Sequence, residues 1–212
     1  MIRITTAYLA IAAITIVAAV PPAARGASSG VPSSCLGCSF SGRDLRGSDF
    51  SGTNYVGANF SGANLRGAKL SGAKMVGANF RNADATSADF GKAKLVGVNF
   101  QSATLTGASF DAASLVGANF KGVKAQKLQM PGADLIGVNF SGADLRDANL
   151  RDTKLCTRDD SGRIDCADFS NADVRGADLR GAMICGNNDT CSPVDAATLR
   201  DRGHSALSGA RL

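Results

Sequence analysis

Between Phe40 and Leu155 every fifth residue is apolar, without exception in 24 places: Phe40, Leu45, Phe50, Tyr55, Phe60, Leu65 and onward to Leu145, Leu150 and Leu155. Two residues before each stands a small residue, usually Ala, as at Ala58, Ala63, Ala68, Ala73 and Ala78. The residue between them is polar, mostly Asn, Asp or Lys. Small-in, polar-out, large-in over three residues is the period-two alternation of a short strand. The next two residues then turn the chain. Gly fills the second of them in 15 of the 24 repeats, as at Gly42, Gly47, Gly52 and Gly57, which suits the positive φ that a type II turn needs there. No α-helix fits, because a five-residue period drifts rapidly around a 3.6-residue cylinder.

The outward positions carry a longer beat. The residue after the large one is apolar at Leu36, Val56, Val76, Val96, Val116 and Ile136, always 20 residues apart. Halfway between lie Arg46, Arg66, Thr86, Thr106, Gln126 and Arg146, all polar, so the period is 20 and not 10. Asn59, Asn79, Asn99, Asn119 and Asn139 keep the same interval. Residues alike at every twentieth place stack above one another, which requires four sides per coil. With coils about 4.8 Å apart, the in-phase repeats predict six coils and a rod of roughly 29 Å. Phe40, Phe60, Phe80, Phe100, Phe120 and Phe140 form one inward row.

Ala63-Asn64-Leu65-Arg66-Gly67 and Ala143-Asp144-Leu145-Arg146-Asp147 resemble the consensus of the pentapeptide-repeat family. The resemblance runs from residue 38 to about 186. It implies an all-β protein, a right-handed quadrilateral β-helix of the pentapeptide-repeat solenoid type. Some members of that family mimic duplex DNA and inhibit DNA gyrase through strongly acidic surfaces; the mildly basic repeats and exported leader of this chain argue against that role. No site residues carry over from the family.

The phase breaks after Leu155 and resumes one residue out of step at Ile164, Phe169, Val174, Leu179 and Ile184. Residues 156–163 between the two frames read as a loop insertion within a repeat domain spanning 35–191, a hairpin tied at its base by Cys156 and Cys166. Ser192, Pro193 and Asp195 read as an N-cap, a proline at N1 and an acid at N3, and Gly203 as a stop. They predict a short capping helix at about 193–202 in a C-terminal segment 192–212, with the final nine residues loosely held. Residues 27–34 read as a flexible leader. Ahead of them, Arg3, the 17-residue apolar run Ile4 to Val20 and the small residues around Pro21-Pro22-Ala23-Ala24-Arg25-Gly26 have the three regions of a signal peptide over 1–26. Export to the periplasm or the cell exterior follows, with an uncleaved membrane anchor as the competing reading.

Six cysteines suit an oxidising compartment. Local pairs, Cys156–Cys166 and Cys185–Cys191, are expected, with Cys35–Cys38 closing the N-terminal end. The CxxC of Cys35-Leu36-Gly37-Cys38 also admits disulfide exchange, but it opens a β-coil and not the helix that lowers a redox thiol's pKa. No second CxxC or histidine pair completes a zinc site. All 18 acidic residues are Asp and the only histidine, His204, lies in the tail, which leaves little material for acid–base catalysis. The chain reads as a non-enzyme without cofactor or metal.

The core is occupied, so function is sought outside. The column Leu36, Val56, Val76, Val96, Val116 and Ile136 is the strongest surface signal, an apolar strip for a homodimer or another protein partner; packing along a ladder, or cover from the C-terminal tail, is the bland alternative. Residues 66–127 hold nine basic and three acidic side chains, which offers a weaker reading as a binder of an acidic polymer or anionic surface. With no exposed aromatic among those lysines, nucleic acid is not the expected partner.

Overall fold

In a computed structural model of the protein, the described residues are 32–162, 164–186, 191–193 and 211. The segment read as a signal peptide, most of the leader, residues 194–202 of the expected helix and His204 lie outside them. Each repeat makes one rung, and from Ser34 to Asp134 every rung pairs in parallel with the residue 20 places on: Asn54 with Lys74, Asn59 with Asn79, Asn64 with Asp84, Lys69 with Asp89. Four such columns wind up the rod, so one coil is 20 residues and four walls. Val56 and Val76 stack at one corner, with Gly57 N–H donating to the Val76 carbonyl at 2.9 Å.

The local chemistry of one repeat explains the coil. Phe60 N–H donates upward to the Asn79 carbonyl (2.7 Å), while Asn59 N–H donates downward to the Cys38 carbonyl (2.7 Å). Ala63 N–H donates back to the Phe60 carbonyl at 3.0 Å, closing a β-turn whose third residue has positive φ. That residue is usually Gly, but Asn82, Ser87, Lys92, Ser102, Ala112, Lys127, Asp147 and Asp152 adopt the same left-handed conformation, with φ between 51° and 58°. The turn therefore tolerates a side chain. One N–H per repeat, that of the residue after the large one, still needs an acceptor, and where the residue before the large one is Asn or Asp its side chain often supplies it: Asn59 Oδ1 accepts from Ser61 N–H at 3.0 Å, Asn99 Oδ1 from Gln101 N–H at 3.0 Å.

The interior is a set of stacked columns. Phe40, Phe60, Phe80, Phe100, Phe120 and Phe140 are fully buried, with successive ring centroids 4.7–5.2 Å apart. Phe169 extends the column across the insertion, 5.1 Å from Phe140. Each such side chain contributes about 1.5–3 kcal/mol on burial, and the small residues two places earlier leave it room.

The regular winding ends at Leu155. The chain runs straight past the corner as β1 (Lys154–Arg158) and returns antiparallel as β2 (Ile164–Cys166); one coil later β3 (Met183–Gly186) returns as β4 (Cys191–Pro193). β1 and β3 pair in parallel, giving a four-stranded sheet in the order β2-β1-β3-β4. Four expectations change here. Ile164 is not a core position of a resumed frame: it sits half-buried in β2, and regular stacking returns with the Asn139–Asp168 rung. Ser192 and Pro193 do not open a helix, because both belong to β4. Arg211 is not loose; it adds a rung beside Asp178, accepting from Leu179 N–H and donating to the Ala177 carbonyl, both at 2.8 Å. The leader's last residue, Ser34, already forms a rung with Asn54. No helix occurs among the described residues, and none there is long and apolar enough to cross a membrane.

Candidate interaction surface

Each of the four corners of the rod is built from two residues per coil, and their side chains set its character. One corner carries Val56, Val76, Val96, Val116 and Ile136 in a single column, with Leu36 at its N-terminal end. Their backbones are held in register by the rungs Asn54–Lys74–Lys94–Ser114–Asp134 of the wall they terminate. Val96 is 38% exposed and Leu36 84%, while Val56, Val76, Val116 and Ile136 are half-buried. The second corner residue is glycine in all six coils: Gly37, Gly57, Gly77, Gly97, Gly117 and Gly137. A Cβ at Gly57, Gly77, Gly97 or Gly117 would have no heavy atom within 4 Å. This corner is therefore an apolar ridge running beside a strip bare of side chains.

The other three corners share the backbone but not the surface. Their first residues include Arg46, Arg66, Arg81, Gln101, Lys121 and Arg146, and their second residues include the non-glycines of positive φ named above. The contrast shows that the turn alone does not require glycine. The glycine column recurs in the sequence at the same 20-residue interval as the valine column, and only its lack of substitution by the residues that take the same φ elsewhere sets it apart.

Polar columns flank the ridge. On the wall it terminates, Lys74 and Lys94 lie in register. On the next wall Asn59, Asn79, Asn99, Asn119 and Asn139 form a neutral ladder, each capping the turn that follows. Arginine, never lysine, supplies the cation in the ion pairs found among the described residues. Several of these are clips across one turn. Arg175 donates through Nε and Nη2 to the two oxygens of Asp173 at 2.8 and 2.6 Å, and Arg180 does the same to Asp178. The Arg175 hydrogen bond holds the Asp173 carboxyl down to about 2, and Arg180 holds Asp178 well below the usual carboxylate range. Inside the first coils, burial pushes the Tyr55 phenol up to about 12, and its hydroxyl donates to the Pro32 carbonyl.

All six cysteines are paired: Cys35 with Cys38, Cys156 with Cys166, Cys185 with Cys191. Cys156 and Cys185 occupy the places in their repeats that valine holds in earlier coils, so the apolar column ends where the two stapled hairpins begin. The second hairpin was not foreseen; the spacing of Cys185 and Cys191 was its only signal. Among the described residues no cluster of His, Cys or Asp could hold a metal ion.

A parallel β-solenoid of four-walled coils, with a filled core and chemistry confined to its outer columns, defines a repeat scaffold. The family model for pentapeptide repeats matches residues 33–152 in overlapping segments and 164–188, and the chain belongs to that family. No curated protein sequence matches. Solved structures similar to it include HetL, a pentapeptide-repeat protein involved in heterocyst differentiation regulation from the cyanobacterium Nostoc sp. strain PCC 7120, at 25% identity over 75% of this chain and 89% of that one, with a TM-score of 0.48. A pentapeptide-repeat protein of the Arabidopsis thaliana thylakoid lumen is 37% identical over 51% of this chain and 68% of its own, with a TM-score of 0.39. QnrB1, a plasmid-mediated fluoroquinolone resistance protein, is 22% identical over 80% and 88%, with a TM-score of 0.38.

Proposed function

We propose that the protein is an exported, non-catalytic scaffold, wound as the right-handed β-helix of its family, that binds protein through the Val56–Ile136 ridge. The observation that carries this reading is the corner contrast: one backbone repeated at four corners, with apolar side chains in six successive coils at one corner alone. A solvated corner needs no such uniformity, and an apolar strip of this length is a feature of contact surfaces. Export rests on the leader's three-part sequence and on the cysteines.

Replacing Val96 and Val116 together with Lys tests the reading. Both side chains stand outside the core, so the variant is expected to fold and melt within about 1 kcal/mol of the parent. It should lose self-association in sedimentation and lose capture of partner from secreted extract. A variant unchanged in both would remove the ridge from consideration. The runner-up, an acidic polymer or anionic surface held by the 66–127 region, is supported by the lysines that form no ion pair among the described residues. It predicts salt-sensitive binding that Lys74→Gln with Lys94→Gln weakens and the double Lys variant at Val96 and Val116 strengthens.

A further inference from the structure

The ridge and the bare glycine strip run side by side at the same heights, one residue apart around the corner, or about 3.8 Å between Cα atoms. A ridge beside a parallel groove is complementary to itself under one symmetry operation. A two-fold axis parallel to the rod exchanges left and right while preserving up and down, so each copy's valines face the other copy's glycines. A two-fold axis across the rod reverses up and down but lays ridge on ridge, with groove facing groove. We propose, resting on the reading that this ridge binds protein, that its partner is a second copy of the chain, aligned parallel and in register, with Val76, Val96 and Val116 seated on Gly77, Gly97 and Gly117 of the other copy.

Three observations favour this arrangement. Glycine stands at this corner in every coil, although Asn, Ser, Lys, Ala and Asp adopt the same positive φ at other corners; what an added side chain would fill is open space, so an unbroken glycine column leaves that strip clear for an approaching surface. Charge selects the parallel alignment. Lys74 and Lys94 flank the ridge on one side, and the asparagine ladder flanks the glycines on the other. Parallel packing therefore turns the lysines toward neutral asparagines, whereas antiparallel packing turns the lysine-bearing walls of the two copies toward each other. Area sets the strength. From Leu36 to Ile136 the ridge spans five coil spacings, about 24 Å, and a convex corner covers on the order of 350 Å² per copy, below the roughly 800 Å² of a stable complex. Self-association is expected to be weak and dependent on concentration.

Single-cysteine variants read the geometry directly. Val56→Cys, Val76→Cys, Val96→Cys and Val116→Cys, each treated alone with a short bis-maleimide at high protein concentration, should all self-link to similar extents, because a parallel two-fold axis keeps each residue at the same height as its own copy, one corner residue to the side. Thr106→Cys on another corner supplies the background. Self-linking at one position only, with Val76→Cys linking to Val116→Cys on mixing, would replace the parallel arrangement with an antiparallel one. No linking above background would overturn the second copy as partner. Gly97→Asn adds an independent reading: Asn takes this backbone conformation at Asn82, with φ 57°, so the variant should fold, fill the groove and weaken self-association roughly tenfold. Unchanged association of Gly97→Asn in sedimentation would also refute the ridge-in-groove contact. If self-linking fails while the double Lys variant at Val96 and Val116 still loses capture of a different protein, the dimer falls and the ridge reading survives. If the double variant loses nothing, both fall.

Discussion

The rod over 40–153 and the stapled end over 154–193 meet the same demand by different means. In the rod, each three-residue side turns at once, and its polar backbone groups are satisfied by the coils above and below. At the end, the walls at Lys154 and Met183 continue past the corner, and each must bring its own chain back to pair with it. The rod is held by repetition: stacked rings, a small residue beside each, and an Asx cap at many turns. The hairpins are held by two short antiparallel pairings and a covalent bond in each. Stacking binds every coil to its neighbours, as in other solenoids, whereas a staple acts only on the loop it closes.

The largest expected effect lies in the rod. Phe100 is fully buried, with Phe80 stacked on one side at 4.7 Å, Phe120 tilted on the other at 4.9 Å, and Phe90 and Phe110 edge-on at 5.5 and 5.6 Å. Close packing on every side leaves little to collapse into the void, so Phe100→Ala should cost about 3–5 kcal/mol in denaturant unfolding. A loss under about 1 kcal/mol would mean that the column does not hold the rod together, and the contrast with the end would vanish.

The next effect isolates the end. Replacing Cys156 and Cys166 together with Ser opens a covalent loop of sequence separation 10, worth about 2–3 kcal/mol on chain-entropy grounds. The loss should be local. Hydrogen exchange is expected to quicken at Thr157 and Arg158 while Phe80 to Phe120 stay protected, because β1 ends at the exposed Arg158 and pairs with the last coil. Equal loosening along the rod would show that the hairpins are part of one cooperative unit.

Much of the rod was legible because each position in its repeat has one dominant physical requirement. Phe40 must be inside, Asn59 outside and Gly42 in the turn, and 24 repetitions average away exceptions such as Ala85 and Ala125. The hairpins were half legible. Cys156 and Cys166 marked the first, but Ile164 fell by chance on the five-residue spacing and was read as core. At Ser192 and Pro193, helix-start chemistry lost to the β3 edge, where Cys185 already fixed the returning strand. The ridge was visible as a valine column. The meaning of the glycines beside it was not, because glycine at that place looks like ordinary turn chemistry until other residues are seen with the same φ.

The smallest effects are acid and alkaline limbs. Asp49, Asp84 and Asp144 in the rod are also held below the ordinary carboxylate value, so the acid limb is shared by both regions and only the alkaline one belongs to the first coils. Asp173 and Asp178 at the stapled end are held below their unfolded values by Arg175 and Arg180. The folded state therefore binds fewer protons than the unfolded chain as pH falls through about 4. Their contribution is complete above that point and is lost toward pH 2, where Asp173 itself titrates. Both clips are exposed and screened, so the acid limb should be shallow and flatter in Asp173→Asn. Tyr55 behaves oppositely in the first coils. Burial raises its pKa from 10 to about 12, so the unfolded chain ionises first, and stability falls as pH rises through that interval. Melting temperatures across pH should show a plateau with two separate shoulders, the acid one reduced by Asp173→Asn and the alkaline one removed by Tyr55→Phe. If either substitution changed both shoulders, the two ends of the rod would be coupled along its length, and the difference between a stacked region and a stapled one would be one of appearance only.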